Sequence, residues 1–258
     1  MAFNLDLKSK VILVTGGYGH LGKGITDSLV LHGAQVYVLA RNHEKFIDSF
    51  GEHPNGIYFI ECNISDAASI RKSFSEVDKI EGRIDVLINN AYYMRGQSPE
   101  TMTDEDWVYG IDGTLNSVFK SIREILPYIR KSKNGKIINI ASMYGMVAPQ
   151  FEIYDESPQF LNPPHYGAAK AGIIQLTKYY ASFLGSEGIT VNTVSPGPFP
   201  SPSVQKDSNF IKRLSAKTCV GRIGQPDDLG GIFTFLSSDA ANFITGQNFV
   251  VDGGWTAK

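Results

Sequence analysis

Seven short, mostly apolar runs are spread along the whole chain, and most are separated by segments with helical periodicity. They are residues 11–14, 36–39, 57–60, 86–88, 136–140, 189–194 and 248–251. The runs are continuous rather than alternating, which is typical of strands that are buried on both faces. Helical segments between such strands form right-handed crossovers between parallel neighbours. The sequence therefore predicts an α/β fold, a doubly wound parallel sheet of about seven strands with helices on both faces.

Two long connections interrupt this alternation. Helical periodicity is clearest at 21–31, 67–80, 107–129, 168–184 and 227–236. No linker or shift in composition breaks the series, so we expect a single domain over residues 1–258. The stretches near 145–165 and 196–225 are rich in Pro, Ser and Gly and longer than ordinary connections. Both follow predicted strands, so we expect them to be substrate loops over the carboxyl edge of the sheet, where open α/β sheets bind ligands.

The charged residues are nearly balanced, with 24 Lys and Arg against 26 Asp and Glu, a formal net charge of −2. A nucleic-acid partner is not expected, because such a partner favours a basic excess. The first ten residues carry charges where a signal peptide needs an apolar core, and no run approaches about 18 apolar residues. We therefore expect a cytoplasmic protein without a membrane partner. Cys62 and Cys219 have neither CxxC spacing nor a neighbouring histidine, so no disulfide framework or metal site is expected.

A glycine-rich segment follows the first predicted strand and leads into a helix. It reads Thr15-Gly16-Gly17-Tyr18-Gly19-His20-Leu21-Gly22. Glycines permit positive φ and let backbone N–H groups approach a diphosphate, which the start of a helix favours electrostatically. A plain tight turn is the alternative, but the position between the first strand and the first helix favours Rossmann-like dinucleotide binding.

This segment resembles the pattern TGxxxGxG of the short-chain dehydrogenase/reductase family at Thr15, Gly16 and Gly22. His20 stands where the family has its middle glycine, so it would narrow the pyrophosphate pocket, add a hydrogen bond to it, or simply cap the helix. The resemblance implies that the whole segment contacts the cofactor, through Thr15, Gly16, Gly17, Tyr18, His20, Leu21 and Gly22.

The end of the second predicted strand bears on the choice of cofactor. Ala40 stands where NAD users of the family carry Asp, and Arg41 where NADP users often carry Arg. A guanidinium suits a 2′-phosphate, so NADP is the expected cofactor and NAD the other possibility. Arg41 as an ordinary solvated or adenine-stacking residue is the alternative interpretation.

Two further segments resemble the family's adenosine side. Asn63-Ile64 is similar to the adenine-contacting segment, with Asn63 in place of the usual Asp. Asn89-Asn90-Ala91 matches the pattern NNAG except that Tyr92 replaces the glycine. The resemblance implies that Asn63, Ile64, Asn90 and Ala91 line the adenosine half of a cofactor site.

Tyr166 and Lys170 are four residues apart, which places them on one face of a helix. A phenol with an ordinary pKa near 10 exchanges protons near neutrality only if a nearby cation lowers that pKa. The spacing alone is weak evidence, but it follows a strand that ends at Ser142 and precedes Pro196-Gly197, the order found in the family.

The resemblance implies a role for each of these residues. Tyr166 would exchange the proton, Lys170 would lower its pKa and hold the nicotinamide ribose, and Ser142 would orient the reacting oxygen. Thr114 falls where the family's Asn completes a proton relay. On the nicotinamide side the expected cofactor contacts are Pro196, Gly197, Phe199 through its backbone, and Ser201.

The function that these residues predict is an NAD(P)-dependent oxidoreductase that moves a hydride between the cofactor and a carbonyl or secondary alcohol. A catalytically silent NADP-binding redox sensor and a sugar-nucleotide-modifying enzyme are the alternatives. The loop between Ser142 and Tyr166 mixes polar residues with Phe151, Tyr154 and Phe160, which suits a keto-sugar or polyol unless the loop is merely solvated or packs in an oligomer. The resemblance also implies a homotetramer or dimer packed through the helices at 105–131 and 164–185.

Overall fold

The protein forms a seven-stranded parallel sheet with helices on both faces, which confirms the predicted doubly wound, Rossmann-like fold. The structure is a computed structural model and describes residues 5–258. The first four residues of the predicted domain therefore lie outside the described residues. The strands are β1 (Val11–Thr15), β2 (Gln35–Ala40), β3 (Ile57–Glu61), β4 (Val86–Asn89), β5 (Lys136–Ile140), β6 (Thr190–Pro196) and β7 (Asn248–Val251). The helices are α1 (His20–Leu31), α2 (His43–Phe50), α3 (Ala67–Glu81), α4 (Asp104–Ile111), α5 (Ser117–Ile129), α6 (Pro164–Leu184), α7 (Ser208–Lys217) and α8 (Asp227–Ser237).

The order of the strands is β3-β2-β1-β4-β5-β6-β7, so the chain reverses direction across the sheet between β1 and β4. Val14 of β1 lies opposite Ile88 of β4 and, on its other side, opposite Val38 of β2. Such a switch point opens a crevice beyond the carboxyl ends of the strands.

The continuous apolar runs are explained by burial on both faces of the sheet. Leu13 and Leu87 face a core formed with α3, α5 and α6, whereas Ile12 and Ile88 face a core formed with α1 and α8. All four side chains are fully buried. Within residues 5–258, no helix is both long enough and apolar enough to cross a bilayer.

One predicted helix is divided. The segment predicted at 107–129 forms α4, then one wide π-helical turn from Asp112 to Asn116, and then α5. A π turn contains one residue more than an α turn allows, so it shifts the face that later side chains present.

Two helices were not foreseen. Helix α2 has only eight residues, and α7 lies inside the stretch predicted as a substrate loop at 196–225. Asp207 caps α7 by accepting a hydrogen bond from the backbone N–H of Phe210 at 2.9 Å. Phe210 and Leu214 then pack against Ile153 and Tyr154 of the 145–165 segment. The two long connections therefore form a small core of their own at the carboxyl edge of the sheet.

Candidate active site

A cavity of about 590 Å³ lies at the carboxyl edge of the sheet beside the switch point. It has the size of an ordinary ligand site. Most of the predicted site residues line it, and they come from the ends of β1, β2, β3, β4, β5 and β6, from the start of α1 and from α6. They are Gly16, Tyr18, His20, Leu21, Arg41, Asn63, Ile64, Asn90, Ala91, Ser142, Tyr166, Lys170, Pro196, Gly197, Phe199 and Ser201.

The glycine-rich segment makes the tight turn that the sequence indicated. Gly16 has φ of +64°, and a side chain there would press on Ala91. Gly17 and Gly22 do not line the cavity but let the turn close, because a Cβ on Gly22 would collide with the carbonyl oxygen of Gly16 and one on Gly17 would meet Val38 at 2.9 Å.

Thr15 also acts from behind the cavity wall. Its hydroxyl oxygen accepts hydrogen bonds from the backbone N–H groups of Asn90 and Ala91 at 2.9 and 3.0 Å. The side-chain amide of Asn90 donates in return to the carbonyls of Thr15 and Gly16 at 2.9 and 3.0 Å. These four bonds fix the ends of β1 and β4 to each other at the switch point.

The start of α1 is suited to an anion. Its N-terminal capping position is Gly19, which offers no side chain to the first backbone N–H groups, and the first turn contains no acidic residue. Exposed N–H groups at a helix start attract phosphate. The protein thus presents an uncapped helix end, a glycine turn and a cavity in one place, and these fit a dinucleotide diphosphate.

His20 begins α1 and lines the same part of the cavity. Burial lowers the pKa of its imidazole, and a contact with the carbonyl of Pro200 opposes that change. Its Nε2 atom is buried and makes no hydrogen bond with residues 5–258. The side chain therefore faces the loop after β6 across the cavity instead of capping its own helix.

Arg41 marks the adenosine end of the cavity. It is exposed, and within the part of the chain that the structure describes no hydrogen bond or ion pair engages its guanidinium. Asn63 lies near it on the cavity wall, where its side chain accepts hydrogen bonds from the N–H and hydroxyl of Ser65 at 3.2 and 3.0 Å. A free cation at this end can receive a phosphate.

Ser142, Tyr166 and Lys170 meet at the other end of the cavity. Ser142 follows β5, and the other two lie on one face of α6. Lys170 is buried, and its ammonium donates to the carbonyl of Ile140 at 2.7 Å. Its Nζ lies 5.4 Å from the centroid of the Tyr166 ring. One carbonyl of the sheet therefore holds the cation beside the phenol.

Burial dominates the protonation of this pair. It raises the pKa of the Tyr166 phenol above its ordinary value, Tyr92 adds to the rise, and a hydrogen bond with Ser142 opposes it. Burial also lowers the pKa of Lys170 to about 7. The phenol is thus protonated at neutral pH and can donate a proton, and Lys170 in its protonated form can stabilise the phenolate that remains. The expected lowering of the Tyr166 pKa by Lys170 is not found, because burial dominates and Lys170 is not among the groups that shift this pKa.

The structure does not place Thr114 at the cavity. Its side chain is buried at 1% exposure in the π-helical turn, and its hydroxyl has no hydrogen-bond partner among residues 5–258. The amide of Asn116 donates instead to Asp112 at 3.2 Å. A relay through Thr114 therefore stays a prediction.

The aromatic residues of the loop between Ser142 and Tyr166 do not line this cavity. Tyr154 and Phe160 pack against Phe210 of α7, with ring centroids 5.8 and 4.8 Å from it, and Phe151 lines a separate cavity of about 420 Å³. None of the three lines the 590 Å³ cavity, and for Tyr154 and Phe160 the reason is that α7 supplies an aromatic partner. A role of these aromatics in substrate binding therefore stays a prediction.

Tyr92 and Tyr93 line the cavity although neither was among the predicted site residues. Tyr92 is the position where the chain departs from the pattern NNAG. This departure from the pattern could have identified Tyr92 as a site residue, since a bulky side chain replaces a glycine next to the predicted cofactor contacts.

The chain is similar to known proteins over nearly its whole length. Residues 19–256 match the family model described as Enoyl-(Acyl carrier protein) reductase. The 3-oxoacyl-[acyl-carrier-protein] reductase FabG of Thermotoga maritima is 32% identical over 254 residues, which cover 97% of this chain and 99% of that protein.

Three solved structures are similar to this chain over nearly its whole length. A putative gluconate dehydrogenase from Agrobacterium tumefaciens superposes with a TM-score of 0.89 at 26% identity, covering 100% of both chains. The RhlG/NADP active-site complex of Pseudomonas aeruginosa has a TM-score of 0.88 at 28% identity, covering 99% of both. A short chain dehydrogenase from Leptospira borgpetersenii with bound NAD+ has a TM-score of 0.84 at 31% identity, covering 99% of this chain and 97% of the other.

Proposed function

This chain belongs to the short-chain dehydrogenase/reductase family of NAD(P)-dependent oxidoreductases, and on that basis we propose that it is an NADP-preferring carbonyl reductase or alcohol dehydrogenase. The observation that carries the proposal is the meeting of Ser142, Tyr166 and Lys170 at one end of a cavity whose other end offers a free guanidinium.

The residues divide the reaction among them. When bound, the nicotinamide cofactor supplies the hydride in reduction and accepts it in oxidation. Tyr166 gives its phenolic proton to the carbonyl oxygen in reduction and takes a proton from the alcohol in oxidation. Lys170 stabilises the phenolate left by the first of these transfers, and Ser142 hydrogen-bonds the reacting oxygen and orients the substrate. The glycine turn, Asn63, Ile64, Asn90 and Ala91 hold the diphosphate and adenosine, and Pro196, Gly197, Phe199 and Ser201 hold the nicotinamide side.

NADP is preferred over NAD in this proposal because Arg41 is unpaired and Ala40 offers no carboxylate for a ribose diol. NADP and NAD+ each occur in a solved relative, so relatives of this fold use both. The chain's own residues therefore carry the preference.

For the substrate we propose a keto-sugar or polyol. The hydroxyls of Ser142, Tyr166 and Tyr92 line the reactive end, and a site with such groups favours a hydroxylated ligand. A structural neighbour is titled a putative gluconate dehydrogenase. The second candidate is a 3-oxoacyl thioester, which the name of the Thermotoga maritima relative supports.

The Tyr166→Phe substitution tests the proposal. It keeps the ring and removes the phenolic proton that Tyr166 transfers in this proposal, so we expect turnover to fall by at least about 10²-fold with NADPH affinity nearly unchanged. The assay follows NADPH and NADH oxidation over a panel of keto-sugars, simple ketones and acyl thioesters.

Tyr180→Phe is the matched control, since Tyr180 lies on the same helix but is buried in the core. It should leave turnover unchanged. Turnover of Tyr166→Phe within a few-fold of the parent protein would contradict the proposed chemistry. Tight NADPH binding by the parent protein without turnover of any panel member would favour the redox-sensor alternative.

A further inference from the structure

Tyr92 adds an aromatic ring to the reactive end of the cavity. Its ring centroid lies 5.8 Å from that of Tyr166, with the planes tilted by 58°. The ammonium of Lys170 lies 5.3 Å from the same Tyr92 centroid. The ring thus contacts both residues that handle the proton. Tyr92 is 48% exposed, and this exposed part of its surface is open to a ligand.

The backbone around Tyr92 is fixed on both sides. Before it, the N–H of Ala91 donates to the Thr15 hydroxyl at 3.0 Å. After it, the hydroxyl of Tyr93 donates to Asp112, and the Tyr93 carbonyl lies so close to Gly113 that a side chain at 113 would collide with it. Two anchored neighbours therefore hold Tyr92 in its place beside the catalytic pair.

A glycine at this position, as in the pattern NNAG, would leave the space above Lys170 open. A tyrosine fills that space with a flat surface whose face carries partial negative charge. Such a face attracts the slightly positive C–H bonds of a saturated ring. Partial burial also raises the pKa of Tyr92, so its hydroxyl stays protonated and can donate a hydrogen bond.

We propose that Tyr92 is a specificity-determining residue that selects a cyclic polyhydroxylated ketone or alcohol, because its ring stacks on one face of the substrate and occupies the room that a linear acyl chain would need. This inference rests on the proposed function and names the substrate class of the same site. Tyr166 and Lys170 still carry the proton transfer, and Tyr92 decides which carbonyl reaches them.

The experiment compares the parent protein with Tyr92→Gly, which removes the ring, and Tyr92→Phe, which keeps it. The probes are a cyclic keto-polyol of the inosose type and the N-acetylcysteamine thioester of acetoacetate, each assayed with NADPH. We expect the parent protein to prefer the cyclic probe. In Tyr92→Gly the ratio of kcat/KM for the thioester to kcat/KM for the cyclic probe should rise by at least about tenfold, mainly through KM. Tyr92→Phe should keep the ratio within about threefold of the parent value.

Two results would overturn the inference. One is an unchanged ratio in Tyr92→Gly, and the other is a parent protein that reduces the thioester but not the cyclic probe. If the unchanged ratio comes with NADPH binding that is at least about tenfold tighter, the ring competes with the cofactor and does not select the substrate. Failure of the proposed function looks different. In that case the parent protein and Tyr166→Phe would be equally inactive on both probes, and the inference would fall with it.

Discussion

At the scale of single residues, Arg41 has the clearest expected effect, which is the preference for NADP over NAD. The guanidinium reaches the cavity from the end of β2 without a protein partner among residues 5–258, and Ala40 beside it carries no charge. A phosphate on the adenosine ribose would give this cation a charge-assisted, bidentate partner, whereas a hydroxyl would not. Every tenfold of preference requires only about 1.4 kcal/mol.

Replacing Arg41 with alanine should therefore change the choice of cofactor. We expect the parent protein to bind NADPH more tightly than NADH, and the ratio of the two affinities to fall by at least about tenfold in Arg41→Ala. Fluorescence titration of both cofactors measures the ratio. Lys45→Ala on α2 is the control, because it removes an exposed cation that does not line the cavity. Tighter binding of NADH by the parent protein would refute the preference for NADP.

The role of His20 could be predicted only in part from the sequence. The departure from the family pattern is visible in the sequence, but three roles for the side chain were open. The contact with the Pro200 carbonyl removes one of them, since a ring that faces the loop after β6 does not cap α1. Pro200 is 180 positions further along the chain, so only the tertiary fold could bring the two together.

At the scale of secondary-structure elements, β5 has a buried lysine at each end. Lys136 begins the strand and donates to the side-chain oxygen of Asn242 at 2.7 Å, and burial lowers its pKa to about 8. Lys170 of α6 donates to the carbonyl of Ile140, the last residue of the strand, and its pKa is lowered by burial to about 7. Only Lys170 lines the cavity.

Replacing Lys170 with methionine should make the folded protein more stable, because burial of the Lys170 ammonium lowers the free energy of unfolding of the parent protein. In the unfolded chain a lysine has a pKa of about 10.4, so between pH 7 and about 10.4 the unfolded state holds a proton that the native state releases. Because the unfolded state binds more protons, the parent protein gains stability as pH rises through this window. The stability of Lys170→Met relative to the parent protein should therefore be greatest at pH 7 and below, and should decline toward pH 10.

Urea unfolding of the cofactor-free proteins at pH 6.5, 8 and 9.5 measures this difference. Lys136→Met is the matched control: its window begins at about pH 8, and it should keep turnover while Lys170→Met loses it. A stability difference between Lys170→Met and the parent protein that is constant over this range of pH would contradict the lowered pKa.

The elements also differ in how well the sequence predicts them. All seven strands lie within one or two residues of the apolar runs, because burial on both faces leaves an unbroken signal. Helix α7 carried a weaker one, since Phe210, Ile211 and Leu214 follow Asp207 at helical spacing, but Pro, Ser and Gly on either side obscured it. The π turn was not predicted from the sequence, because one additional residue in a turn hardly changes the apolar periodicity around Thr114. This is why the relay position could be aligned in the sequence but not located in space.

At the scale of the whole molecule, the switch point explains why distant residues form one site. Parallel strands all end at the same edge, so the glycine turn after β1, Arg41 after β2 and Ser142 after β5 meet there without being near in sequence. The order of motifs could therefore predict which residues meet at this edge of the sheet. The substrate side could not be predicted in the same way, because it depends on how α7 and the 145–165 segment pack together.

The outer faces of α4, α5 and α6 leave large apolar side chains in contact with solvent. Val108, Phe119, Tyr179 and Phe183 are each between 40% and 63% exposed. Tyr179 and Phe183 stack on each other with ring centroids 6.3 Å apart, and exposed apolar surface of this kind marks interaction sites. It coincides with the helices at 105–131 and 164–185 through which we predict a homodimer or homotetramer. Leu31 of α1 is also strongly exposed, at 83%, but lies outside these helices.

Phe183→Glu should therefore reduce the assembly size, because a symmetric interface repeats each contact and would bury the new carboxylate twice. Sedimentation velocity at several protein concentrations measures the size, and melting temperature shows whether each variant still folds. Leu31→Glu is the control: it adds the same charge at an exposed apolar position outside α4, α5 and α6 and should leave the assembly intact. The same α6 carries Tyr166 and Lys170 at its other end, so loss of the interface should also lower turnover without changing the preference among substrates. A parent protein that sediments as a monomer, or a Phe183→Glu variant with unchanged size, would show that these helix faces serve another purpose.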